Sequence, residues 1–175
     1  MSGSILAGTN ILTASTRNTK LENIDFRGHD ISGLSLRNTS LAGSNLEGQK
    51  LCRLDLSHTN LEEAQLAGAD LSDSNLSHAN LTNAKLQDVV VRGASFKHAN
   101  LSGVDLSTMN LEDTDFSSAN LANCDLREAN LSKSNLAHTY ITGAQLWKVK
   151  TSGWSIANVI CNYAFWDKDG LEKTA

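Results

Sequence analysis

The sequence predicts an all-β fold, a four-sided parallel β-helix, from three observations. An apolar residue recurs at every fifth position through almost the whole chain. Two places after it sits a residue type that tolerates a left-handed backbone. Several of these types repeat again at intervals of twenty.

The period of five defines the unit. Leu66, Leu71, Leu76 and Leu81 lie at the centres of four successive units, each with a small residue two places earlier: Ala64, Ala69, Ser74 and Ala79. The count extends without a slip from Leu6 to Ile156, and only Thr16 and Thr151 put a polar residue at a centre. Five suits neither a helix nor a continuous strand. Within a unit, however, the small residue and the centre are two apart, which is strand spacing, so both can point inward. The next two residues must then turn the chain. Gly, Asn, Asp and His dominate the second of them, as at Gly68, Asp73, His78 and Asn83.

The interval of twenty sets the circuit. His58, His78 and His98 share one column, with His138 on the same count and Ser118 between. Gly28, Gly48 and Gly68 share another. Four units per turn give four faces. With strands ~4.8 Å apart, about 31 units make about eight coils, a rod of roughly 35–40 Å.

Ala69-Asp70-Leu71, Ala79-Asn80-Leu81, Ala99-Asn100-Leu101, Ala119-Asn120-Leu121 and Ala129-Asn130-Leu131 carry the pattern Ala-(Asp/Asn)-Leu. On these units the chain resembles the pentapeptide repeat family over about residues 4–160. The resemblance implies a right-handed, quadrilateral parallel β-helix, and the handedness comes from it alone. Some family members resemble duplex DNA to gyrase: they are acidic rods of DNA-like width, dimerised through their C-terminal ends.

Composition sets bounds. The net charge of −4 over 175 residues gives no bulk attraction to nucleic acid. No apolar run approaches membrane-spanning length, and no N-terminal export signal is read. Three cysteines make no disulfide framework, which fits a cytoplasmic setting. Proline, which would remove a ladder donor, is absent.

In chain order, residues 1–160 are read as the solenoid and 161–175 as a C-terminal cap or tail. The first coil, with Thr9, Thr16 and Thr19 at inward positions, is expected to be a frayed or capped end. Residues 21–60 place Ile24, His29, Leu34, Gln49 and Leu54 inward, and these should widen their coils. His29 and Gln49 would then need backbone or water partners. In the run Val89-Val90-Val91, Val90 should be exposed. The period is expected to fail at Val159-Ile160-Cys161. Asp167-Lys168-Asp169-Gly170 reads as a tight turn, and the abrupt end reads as a segment of a longer protein.

Four features are weighed as sites. The His58/His78/His98/His138 column could hold a divalent metal or sense pH, but its position is also one that must tolerate a left-handed turn. Glu62, Glu63, Asp70, Asp73, Glu112 and Asp113 form a candidate acidic partner surface, the last four on one face. That face also carries Lys50, Arg53, Arg92, Lys133 and Lys150. Tyr140, Trp147, Trp154, Tyr163, Phe165 and Trp166 cluster late in the chain, as an end cap or homodimer contact. No nucleophile elbow, P-loop, dinucleotide fingerprint or CxxC is present, so neither enzymatic activity nor a cofactor is expected. The expected function is a rigid protein–protein interaction or scaffold module. A DNA-mimicking gyrase binder and a metal-binding histidine column are the alternatives.

Overall fold

The computed structural model describes residues 19–169 and 173–174. The expectations for the first coil, with Thr9 and Thr16, therefore lie outside the described residues, as do Leu171, Glu172 and Ala175.

Backbone pairing joins residues twenty apart, always in parallel: Asn60 with Asn80, Gln65 with Lys85, Asp70 with Val90, Asn75 with Ser95. One circuit is thus four units, and the coil is four-sided. Faces are named here by their central residues. Face 1 runs through Leu41, Leu61 and Leu81, and face 2 through Leu46, Leu66 and Leu86. Face 3 runs through Leu51, Leu71 and Val91, and face 4 through Leu56, Leu76 and Phe96.

The hydrogen bonds of one unit explain its sequence. Leu71 N–H donates to Val90 O at 2.8 Å and Asp73 N–H to Arg92 O at 2.9 Å, both in the next coil. Asp70 N–H donates to Gln49 O at 3.0 Å in the preceding coil. Ser74 N–H closes the corner onto Leu71 O at 3.1 Å. That leaves Ser72 N–H without a backbone acceptor, and Asp70 Oδ1 accepts it at 2.9 Å. The same side-chain bond recurs from Glu62 to Asn60, Thr82 to Asn80, Ser102 to Asn100 and Ser132 to Asn130. The Asp or Asn before each leucine thus supplies the one acceptor the backbone lacks.

The second residue after nearly every described centre takes the left-handed conformation, as expected: Asp73 has φ 56°, His78 62° and Asn83 58°. Arg53, Glu63, Lys133 and Lys148 adopt it too, at φ between 55° and 60°. The ladder therefore imposes the corner even on residues with no preference for it. Gly93 has a close neighbour as well. A Cβ there would meet Asp73 Oδ1, which folds over it from the coil before and would have to move aside.

The interior is a filled column. Leu66, Leu71, Leu76 and Leu81 are fully buried, with Ala64, Ala69 and Ala79 beside them. Burial contributes about 1.5–3 kcal/mol per leucine. Phe96 and Phe116 stack at 5.2 Å on face 4. Inward hydroxyls bond the carbonyls of central residues: Ser74 Oγ to Leu71 O at 2.6 Å, Ser134 Oγ to Leu111 O at 2.7 Å. Gln49 is buried and its Nε2 donates to Phe26 O at 2.9 Å, the partner it needed. His29 and Leu54 are only half-buried.

The ladder has two gaps among the described residues. Asp30 is not paired with Lys50, although Asp25–Asn45 and Ser40–Asn60 on either side are paired. Further on, Lys85 is not paired with Asp105, nor Val90 with Asn110, while Asn80–Asn100 and Ser95–Asp115 are. Each gap coincides with bulky residues at the inward position that alanine usually fills. In the first gap His29 lies one coil from Gln49, and Leu34 one coil from Leu54. In the second, Val89 lies one coil from Met109, and the opening runs on to the neighbouring Ala84/Val104 pair. A long side chain against a small one leaves the ladder closed, as with Gln49 and Ala69, Leu54 and Ser74, or Met109 and Ala129. At this inward position a strand spacing of ~4.8 Å leaves less room for two bulky groups than at the centres. The widening expected for residues 21–60 is present, and the second gap adds one that was not expected.

The ladder also runs past the expected failure at Val159-Ile160-Cys161. Tyr140 pairs with Ile160 and Gln145 with Phe165. One residue is absorbed at Tyr163, whose carbonyl takes the bond from Gly143 N–H that residue 162 would take in a regular coil. Strand β1 (Ala164–Phe165) then pairs antiparallel with β2 (Lys173–Thr174).

Candidate interaction surface

With the core filled, chemistry is confined to the faces and the end. On face 4, His58, His78 and His98 stack as expected, ring centroids 4.7 Å apart and planes within 4° and 12°. Desolvation, then the charges of His98 and His58, hold His78 below the ordinary imidazole range. The rings meet by their π faces, so their in-plane nitrogen lone pairs run side by side and do not converge. Among the described residues no group of three or more His, Cys, Asp or Glu could hold a metal ion. The column is a stack and not a ligand set.

Face 1 carries a parallel ladder of amides that was not anticipated. Asn80 Nδ2 donates to Asn60 Oδ1 at 3.1 Å, and Asn120 Nδ2 to Asn100 Oδ1 at 3.1 Å. Asn100 Nδ2 donates to Thr82 Oγ1 at 2.9 Å. Because these oxygens also accept a backbone N–H, each amide is locked in orientation. The recurring Asn at twenty-residue intervals was the available signal.

The acidic candidates are dispersed and partly neutralised. Glu62 and Glu63 lie on face 1; Asp70, Asp73, Glu112 and Asp113 lie on face 3, two coils apart. Asp73 stands 3.9 Å from Arg53, and Glu112 accepts from Lys133 Nζ at 2.8 Å. The Lys133 hydrogen bond holds Glu112 below the ordinary carboxylate range. Ser72, through hydroxyl and backbone, does the same for Asp70.

The late aromatics divide. Trp147, Trp154, Tyr163 and Phe165 are half-buried, Tyr163 and Phe165 edge to face at 5.8 Å. Lys148 Nζ lies 4.3 Å above the Trp147 ring. Tyr140 and Trp166 are exposed. Below Trp154 and Ile156 no described coil follows, and Ile156, though at a centre, is 49 % exposed. Val90 is 50 % exposed, as expected.

Cysteines are free: Cys52 exposed, Cys161 half-buried, Cys124 buried. Burial pushes the Cys124 thiol up to about 12, where it stays protonated and unreactive. No helix of the described residues is long and apolar enough to cross a membrane.

A family model described as pentapeptide repeats matches in eight copies, over residues 17–48, 40–77, 53–88, 74–113 and 110–147. No curated protein matches. Among solved structures, full-length QnrB1, a plasmid-mediated fluoroquinolone resistance protein, is similar at a TM-score of 0.56 and 16 % identity, over 83 % of each chain. Rfr23, a pentapeptide repeat protein from the cyanobacterium Cyanothece 51142, is 28 % identical over 73 % of this chain and 91 % of its own, at a TM-score of 0.36. HetL, a pentapeptide repeat protein from Nostoc sp. strain PCC 7120, is 22 % identical over 87 % and 86 %, at 0.33. The coil is right-handed and quadrilateral, and the chain belongs to the pentapeptide repeat family.

Proposed function

We propose that this protein is a rigid, non-enzymatic module whose flat faces engage another protein. The observation that carries the reading is the twenty-residue pairing. It stacks outward side chains in straight rows, as in the histidine and asparagine columns, while the centres fill the interior. Such a surface is pre-organised, so little side-chain entropy is lost when a partner docks. The test is a binding measurement with isolated candidate partners on the purified rod and on a variant with His78→Glu and Asn100→Arg. Loss of binding in the folded variant supports face recognition. Equal binding to both rods rejects faces 1 and 4.

A DNA-like binder of gyrase is the second reading, favoured by the shared face of Asp70, Asp73, Glu112 and Asp113. The pairing of Asp73 with Arg53 and Glu112 with Lys133 weakens it, because a neutralised row does not imitate phosphates. A supercoiling assay decides: no effect of micromolar rod on gyrase removes this reading. Self-association through the C-terminal end is proposed alongside, on the exposure of Ile156, Ile160 and Trp166. An unchanged oligomeric state in Ile156→Asp with Trp166→Ser, fold intact, would reject it.

A further inference from the structure

We infer that the solenoid bends at the second ladder gap, opening on faces 2 and 3 and hinging on faces 4 and 1. The gap is bounded. One coil earlier on the same faces, Leu66 N–H donates to Lys85 O at 2.9 Å, Gly68 to Gln87 at 2.9 Å, Leu71 to Val90 at 2.8 Å and Asp73 to Arg92 at 2.9 Å. One coil later, Leu106 N–H reaches Asp125 O at 2.8 Å and Leu111 reaches Asn130 at 2.9 Å. Between them the amides of Leu86, Asp88, Val91 and Gly93, and of Asn83 at the corner leading into face 2, make no backbone bond to the following coil. Five consecutive forward cross-coil bonds are missing, from the corner after Leu81 to the corner after Val91.

The opposite walls hold. On face 4, Phe96 N–H donates to Asp115 O at 2.7 Å and His98 to Ser117 at 3.1 Å, and Phe96 stacks on Phe116. On face 1, Leu101 N–H donates to Asn120 O at 2.9 Å, and the Asn100–Asn120 amide bond crosses the same junction. One side is fastened and the other is not, which is the requirement for hinge opening.

Little else ties the open side: Thr114 Oγ1 donates to Val91 O at 3.5 Å, and the charge of Arg92 attracts Glu112. No ion pair within 4 Å crosses it among the described residues, whereas Arg37–Asp55 at 3.3 Å spans the first gap. A solvent-open depression lies in the gap, lined by Gln87, Asp88, Asp105, Ser107, Thr108 and Asn110. Unpaired amides there can bond water, so opening costs little. The wedge is Met109 beneath Val89, both buried and flexible only at the methionine. Bending here would leave a rigid, flat-faced block on each side and change only the angle at which the two blocks meet a partner.

Amide hydrogen exchange on the full chain tests this. Leu86, Asp88, Val91 and Gly93 are expected to exchange at least about tenfold faster than Leu66, Gly68, Leu71 and Asp73, their column neighbours. Equal protection in the two sets would overturn the hinge outright, with no variant needed. In Met109→Ala the wedge is gone and the gap is expected to close, slowing these four amides. In Met109→Leu, which keeps the bulk, they should stay fast. A folded Met109→Ala protein with unchanged fast exchange would remove Met109 as the cause and overturn the wedge.

Discussion

Coils 61–80 and 81–100 meet along an unbroken wall, while coils 81–100 and 101–120 meet along a wall open on two faces. Both junctions have the same period, the same corners and apolar centres throughout. They differ in what lies two residues before the centre. In the closed junction Ala69 meets Val89; in the open one Val89 meets Met109. The centre decides that the chain coils, and the smaller inward position decides whether successive coils touch.

The comparison can be broken most forcefully at a centre. Leu71→Ala in the closed wall should cost about 2–5 kcal/mol, because packed neighbours cannot collapse into the cavity. Leu86→Ala, beside the gap, should fall at the low end of that range, since its surroundings can relax. Equal urea midpoints for the two would argue that the gap is as tightly packed as the wall. Next, Ala69→Leu creates the bulky pair in a wall that lacks it. It should cost about 1–3 kcal/mol and unprotect the Asp70 and Leu71 amides in hydrogen exchange.

Smaller effects sharpen the corners. Gly68→Ala and Gly93→Ala both place a Cβ at positive φ, a cost of about 1–2 kcal/mol. Gly93→Ala should cost more, because its Cβ also meets Asp73 Oδ1, while Gly68 faces open space. Thermal midpoints in the reverse order would contradict the packing of Asp73. Asp70→Ala should cost about 1 kcal/mol by orphaning Ser72 N–H. Val90→Asn should regain part of such an amount, since Arg92 N–H has no acceptor there.

The smallest effect is acid sensitivity. Arg27, through side-chain and backbone hydrogen bonds, lowers Asp25 to about 2. Ser72 lowers Asp70; at Asp125 burial pulls upward, but bonds from Arg127 outweigh it. Folded carboxylates below their unfolded values near 4 stabilise the fold above that pH. The contribution is lost as pH falls from about 4 toward 2. A pH titration of the urea midpoint should show this loss; a midpoint flat across the window would contradict it.

Much of this was legible. Leu71 and its equivalents announced the interior, Asp73 and His78 the corners, and the histidine spacing the circuit. Three things were not. The acceptor role of Asp70 emerges only when the five N–H groups of a unit are accounted for together. Arg53 and Lys133 reach left-handed corners because tertiary hydrogen bonds override their own preference. Met109 looked like one more inward apolar residue; its effect depends on Val89, twenty residues away, and single positions do not show pair volumes. The basic Arg53 and Lys133 were already legible on the face of Asp70, Asp73, Glu112 and Asp113, and the structure pairs them with Asp73 and Glu112.

Each residue meets its counterpart exactly one circuit later, and this constrains how such a chain can grow or shrink. Deleting five residues would keep every leucine inside, yet rotate everything downstream by a quarter turn. The histidines below the cut would then continue onto the side that carried the charged residues of face 3 above it. Only whole circuits can be duplicated or lost without scrambling the outer rows, so length should change in steps of twenty where the exterior matters.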